Sequence, residues 1–199
     1  KPLAGPSTLN RLELGNEQGS PQYRKIKPNM DRIEELLIEV SVQGLCPESS
    51  EIVLDFDATD DLIHGLQEGR FFHGYYRNYC YLPLYCFVGS LPLWAQLRHS
   101  KLDAYLGTVE ALEKIVPILR NRCPKARIIV RGDSGFCREA LMSWCEAHGL
   151  YYCFGLARND RLLARLQRAF FFARATACLT GGHAREFVEF EYQTQKSWS

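Results

Sequence analysis

The chain has no cysteine pair at C-x-x-C spacing, no long apolar run and no surplus of charge, and each lack excludes something. Its eight cysteines (Cys46, Cys80, Cys86, Cys123, Cys137, Cys145, Cys153 and Cys178) are scattered, whereas zinc sites depend on tight ligand pairs. Most fall in apolar or helical stretches, which reads as reduced core thiols in a cytoplasmic protein. No segment approaches the ~18 consecutive apolar residues of a membrane span, so no membrane partner is expected. The start, Lys1-Pro2-Leu3-Ala4-Gly5-Pro6, has neither a signal-peptide core nor an initiator methionine. It reads as the interior of a longer protein. Internal repeats and low-complexity segments are also missing. The net charge of +1 gives no bulk argument for nucleic acid, although the balance is uneven. Residues 1–60 hold 6 basic and 11 acidic side chains, residues 61–133 hold 10 and 6, and residues 134–199 hold 8 and 6.

What is present suits one good-sized soluble domain: 199 residues, 46% apolar and 24% charged. Residues 1–28, rich in Gly, Pro, Ser and Asn, read as irregular with a short turn at 9–14. A helix follows, with Ile33, Leu36, Leu37 and Val40 at i, i+3, i+4, i+7, capped by Asn29 and closed by Gly44. An apolar strand at 51–57 runs into the acids Asp55, Asp57, Asp60 and Asp61. The stretch 62–74 reads as a loop, and two strands at 78–88 and 91–98 meet at Gly89-Ser90. Further on come a helix over 104–122, a strand over 127–131, a helix over 138–148, a strand over 150–155 and a helix over 159–173. A half-exposed strand is expected over 187–194. Three strands followed by helix, strand, helix, strand, helix is the order of a ribonuclease H-like α/β mixed sheet. The division is then 1–48 as a lead-in with one helix, 49–175 as the core, and 176–199 as the start of a β-rich insertion.

Two aspartates stand out because each ends an apolar strand: Asp57 in Ile52-Val53-Leu54-Asp55-Phe56-Asp57-Ala58-Thr59, and Asp133 in Ile128-Ile129-Val130-Arg131-Gly132-Asp133-Ser134-Gly135-Phe136. Carboxylates at strand ends can meet at one sheet edge and hold a divalent cation, the chemistry of phosphodiester cleavage. Asp60 and Asp61 read as solvated turn residues. Thr59 either orients Asp57 or caps the strand end. His64 and His73 either complete loop hydrogen bonds or approach a polyanion. Arg158, Arg161, Arg165 and Arg168 share one helix face opposite Leu162, Leu163, Leu166 and Phe170. That pattern serves phosphate neutralisation or a solvated amphipathic helix equally. The aromatic run Phe71, Phe72, Tyr75, Tyr76, Tyr79, Tyr81 and Tyr85 reads first as core strand packing, with base stacking the other possibility.

Several of these runs resemble insertion-sequence transposases of the DDE type from bacteria. They are Leu54-Asp55-Phe56-Asp57-Ala58-Thr59-Asp60-Asp61 with His64-Gly65 and Gln67-Glu68, then residues 71–83, Arg131-Gly132-Asp133-Ser134-Gly135-Phe136, and Phe154-Gly155-Leu156-Ala157-Arg158-Asn159-Asp160. Residues 3–13 are similar to the segment preceding that family's core. The resemblance implies that Asp57 and Asp133 are the first two catalytic aspartates, with Asp55 a further metal ligand. It also implies Mg2+ or Mn2+ as cofactor, DNA ends and target as partners, and a homodimer on paired ends. The family's third acid, a glutamate on a late helix among Tyr, Arg and Lys, has no match after Asp133. Glu139 and Glu146 come too early, and Glu186, Glu189 and Glu191 lie in the strand-like tail. The expectation is therefore a truncated core, inactive alone, that lacks its third catalytic Glu. The alternatives are a noncatalytic remnant binding DNA or a partner subunit, and another ribonuclease H-like nuclease.

Overall fold

The computed structural model describes residues 29–65, 67 and 70–192. The readings made for residues 1–28 and 193–194 lie outside them. In chain order the elements are α1 (Met30–Gln43), β1 (Glu51–Ala58), β2 (Asp61–Leu62), β3 (Phe71–His73), β4 (Asn78–Tyr81), β5 (Leu84–Val88), β6 (Leu91–Gln96), α2 (Thr108–Arg122), β7 (Arg127–Gly132), α3 (Glu139–Ala147), β8 (Tyr151–Phe154) and α4 (Asp160–Thr180).

Five strands form one mixed sheet in the order β6-β5-β1-β7-β8. The β1–β5 and β5–β6 pairs are antiparallel, and β1–β7 and β7–β8 are parallel. This is the ribonuclease H-like arrangement the element order implied. Along β1, Ile52, Leu54 and Phe56 are buried and the alternate residues are not, so one face of the sheet is the core face. The core joins those residues to Leu84, Cys86, Ile128 and Val130 of the sheet and to Leu112, Ile115, Leu119 and Leu141 of the helices. The opposite face stays partly open. Among the described residues no helix is long and apolar enough to cross a membrane.

Several local expectations change. Helix α1 has the expected ends, with Asn29 Oδ1 accepting from the Arg32 amide at 3.1 Å. It buries Ile38, Ser41 and Val42, however, and leaves Ile33, Leu36 and Val40 exposed. The reason is its place along edge strand β6. There Ser41 Oγ donates to the Pro92 carbonyl at 2.6 Å, and Glu34 takes Lys114 of α2 at 2.6 Å. The stretch 62–74 is not all loop, because β2 and β3 flank β4 in a second, three-stranded sheet. The expected strand 78–88 breaks at Leu82-Pro83, where proline cannot donate to a ladder. Arg98 holds that break, its amide oxygen accepting from Leu82 N at 2.8 Å and its Nε donating to Leu82 O at 2.9 Å.

Helix α4 continues to Thr180, through alanine-rich sequence with good helix propensity, and stops at Gly181 in the left-handed region (φ 67°). The segment beyond it forms no strand over 187–192. It runs back along α4 instead, with Ala184 and Phe187 sharing a cavity with Leu166 and Phe170 and Tyr192 donating to Asn159 Oδ1 at 3.1 Å. A strand needs a neighbouring edge, and here its neighbour is a helix. The thiols divide: Cys80, Cys86, Cys123 and Cys145 are buried, Cys137 is half-buried, and Cys46, Cys153 and Cys178 are exposed.

Candidate active site

The open face of the sheet carries a ladder of charges built by the parallel register of β1 and β7. Glu51 is level with Arg127, Val53 with Ile129, and Asp55 with Arg131. The two charged rungs are ion pairs. Arg127 meets Glu51, and Arg131 grips both oxygens of Asp55, Nε to Oδ1 at 2.8 Å and Nη2 to Oδ2 at 2.5 Å. The pairing ends at Asp55 and Arg131; Asp57 lies two residues further along β1, and Asp133 is the first residue after β7. Both acids therefore stand at the C-terminal ends of neighbouring parallel strands, at the same edge of the sheet. A divalent cation shared by carboxylates at one sheet edge would offset their mutual repulsion.

Each acid is held by its own loop. Thr59 Oγ1 donates to Asp57 Oδ2 at 2.7 Å, which decides the Thr59 question in favour of orientation. The Gly135 amide donates to Asp133 Oδ1 at 2.8 Å, and the Phe136 amide to the Asp133 carbonyl at 3.2 Å. The turn after Asp133 is tightly packed, so glycine is needed on both sides of it. A Cβ on Gly155 would stand 3.0 Å from the Ser134 amide nitrogen, and one on Gly135 would stand 2.8 Å from Ala104 Cβ. Arg138 closes the turn. It donates to the Cys137 carbonyl at 3.2 Å while Asp103 binds its guanidinium at 2.9 Å. Neither Asp103 nor Arg138 carried a sequence signal, since the contact joins residues 35 apart through a loop.

Tyr76 also reaches this edge. Its phenol donates to the carbonyl of Ala58, the residue after Asp57, at 3.4 Å. Partial burial raises its pKa first, followed by the charges of Asp60, Asp57 and Asp133. One phenol therefore feels both strand-end acids. Asp61 lies exposed in β2 rather than in a turn. The Asp55 carboxyl is held below the usual carboxylate range, chiefly by its hydrogen bonds from Arg131. To bind a metal, Asp55 would have to leave that arginine.

The donor set fits a hard divalent ion. Asp57 and Asp133 each have one oxygen tied and, among the described residues, one without a protein partner. Mg2+ takes one or two carboxylates and keeps several waters. No group of three or more His, Cys, Asp or Glu suited to a metal occurs among the described residues. Glu139 accepts from Ser143 at 3.1 Å and Glu146 from the Tyr152 phenol at 2.6 Å, both on α3 and so not gathered with the pair. The arginines expected to act together lie along α4 and before it. No residue of α4 is buried: its arginines are exposed, while Leu162, Leu163 and Leu166 are half-buried. Leu156, Arg158, Leu162, Leu166, Phe170 and Arg174 line one shallow cavity there.

The sequence model of the family described as Transposase DDE domain group 1 matches residues 1–199. The chain belongs to this family of DDE transposase domains. Among curated proteins none matches. Solved structures with some likeness include the Mos1 transposase paired-end complex with left transposon end, at 14% identity and TM-score 0.38, covering 92% of this chain and 59% of that one. The catalytic domain of Mos1 mariner transposase is another, at 11% identity and TM-score 0.39, covering 83% and 78%. At such scores the likeness adds nothing to the topology described above. The DDE domain described here thus spans 59% of the length of the transposase in that complex.

Proposed function

We propose that the chain is the catalytic core of a transposase that cleaves DNA strands and transfers them, with Asp57 and Asp133 as its metal-binding carboxylates. The observation that carries this is the end of the β1–β7 ladder, where Asp57 and Asp133 follow the last paired residues, Asp55 and Arg131. Opposite charges neutralise each other on the charged rungs below it. Beyond the last rung two acids lie at one sheet edge, each hydrogen-bonded within its own loop. Mg2+ or Mn2+ held there would supply Lewis acidity toward a phosphodiester and lower the pKa of an attacking water or 3′-hydroxyl.

The rest of the work belongs to the protein. Thr59 and Gly135 fix which oxygen of each acid points away from its loop. The Asp55–Arg131 pair braces the two strands one rung back, keeping them in register at the point of chemistry. Arg158, Arg161, Arg165 and Arg168 supply cations to phosphates, which dominate DNA affinity. This use is supported by the exposure of all four arginines. DNA ends and target are the partners in this reading, two copies act on paired ends, and the setting is the reducing cytoplasm. The third ligand comes from outside the described residues.

Calorimetric titration with MnCl2 or MgCl2 tests the proposal. Binding by the unmodified chain that is lost in both Asp57→Ala and Asp133→Ala is expected. Binding untouched by either substitution would sink it.

A further inference from the structure

The hairpin joining β3 to β4 carries aromatic rings that the core does not use. Its inner face is committed: Cys80 is buried and the Phe71 ring lies edge-on to His99 at 5.5 Å. Its outer face is not. Phe72 and Tyr79 stand opposite each other in the register, edge to face at 5.6 Å, and are 57% and 50% exposed. The Arg70 guanidinium lies 5.0 Å from the Tyr79 ring. At the tip Tyr75 is 84% exposed and meets Tyr76 edge to face at 5.0 Å. Tyr76 in turn is hydrogen-bonded to Ala58, next to Asp57. Residues 70–79 include Arg70 and Arg77 but no Asp or Glu. The tip itself is set by Arg77 at φ 55°, whose amide donates to the His73 carbonyl at 2.8 Å.

These facts describe exposed π faces, one with Arg70 beside it, on a hairpin whose half-buried Tyr76 is bonded to the residue after Asp57. We infer that this hairpin is a stacking platform for unpaired nucleobases of the DNA strand whose phosphate reaches Asp57 and Asp133. Tyr75 takes the base nearest the phosphate, and Arg70 and Arg77 balance neighbouring phosphates. The inference rests on the reading of the acid pair as a phosphodiester site. Single-stranded nucleic acid fits the surface because stacking needs a ring face and a positive flank without base-specific donors. A protein partner would cover the rings, but it gives no reason for them to adjoin two carboxylates. The aromatic run was first read as core packing. None of its seven rings is buried: Phe71, Tyr76, Tyr81 and Tyr85 are half-buried, and Phe72, Tyr75 and Tyr79 are exposed.

The test uses the full chain and a short DNA strand carrying 2-aminopurine, either single-stranded or fully paired. The single strand is expected to bind with strong fluorescence quenching, and the duplex with little. Tyr75→Trp should bind as well as the unmodified chain. Tyr75→Leu keeps apolar bulk without the π face and should weaken single-strand binding about tenfold. The inference is overturned if Tyr75→Leu binds like the unmodified chain, if the duplex is quenched equally, or if Phe72→Ser dissolves a dimer formed through this face. Manganese titration separates this idea from its premise. Loss of quenching in Tyr75→Leu in a chain that binds no Mn2+ would leave the platform standing and remove the metal site. Normal Mn2+ binding with quenching indifferent to Tyr75 would do the reverse.

Discussion

Replacing Gly132 by alanine probes the packing that aims Asp133. A methyl group at Gly132 would stand 2.8 Å from both Cγ and Cδ2 of Phe136 and 2.9 Å from its Cβ. These distances are shorter than carbon atoms tolerate, and the ring has little freedom to yield. Phe136 is 1% exposed and lies 6.3 Å from the Phe56 ring, and its amide is bonded to the Asp133 carbonyl. Either the ring leaves its position or the end of β7 shifts. Overpacking of this kind costs about 1–3 kcal/mol. For a chain of this size each kcal/mol moves Tm by about 2–4 °C, so a fall of roughly 4–8 °C is expected for a cost near the middle of that range. Urea unfolding followed by circular dichroism should show a lower midpoint with an unchanged slope. Gly74→Ala is the control, because nothing lies within 4 Å of its added carbon, and it should stay within about 0.5 kcal/mol. A Gly132→Ala midpoint equal to that of Gly74→Ala would refute the packing argument.

Two further outcomes follow from the electrostatics and burial. Arg131→Gln should return the Asp55 carboxyl to the ordinary range, measurable by carboxyl-carbon NMR titration. The Asp55 pKa is lowered in the folded state, so its stabilisation is present above the unfolded pKa and lost as pH falls through the lowered folded value. The pair is roughly half exposed, so screening keeps the loss at neutral pH below about 1 kcal/mol. Thiol labelling of the native chain should modify Cys46, Cys153 and Cys178 quickly, and Cys80, Cys86, Cys123 and Cys145 only on unfolding. Burial pushes the Cys145 thiol up to about 12 and Cys86 well above its usual value, which reinforces the protection. Rapid labelling of Cys86 in the folded protein would contradict the core as described.

The main sheet was legible because β1 and β7 are short apolar runs bounded by polar residues, and their ends could be read from Asp57 and Gly132. Their neighbourhood could be read only through the resemblance and the order of elements, since spacing alone does not reveal register. The charge ladder was hidden for the same reason. Arg131 sits two residues before Asp133, but that it grips Asp55 depends on which strands lie side by side. Periodicity also misled where an element has more than one apolar stripe. In α1 the stripe through Ile33, Leu36 and Val40 is as regular as a core face, yet the helix turns Ile38 and Val42 inward because β6 and Lys114 capture the other side. The tail over 187–192 alternates like a strand but lies along α4, where no sheet edge is available.

The central claim is that Asp57 and Asp133 share one metal site, and a double-mutant cycle on Mn2+ affinity tests it most directly. Asp57→Asn, Asp133→Asn and the double variant are titrated beside the unmodified chain, with Glu39→Gln, an exposed acid of α1, as a charge-matched control. If both acids hold one ion, either single substitution removes most of the affinity and the second adds little, a strong departure from additivity. Independent, additive losses, or an equal loss in Glu39→Gln, would contradict a shared site and with it the proposed catalytic core.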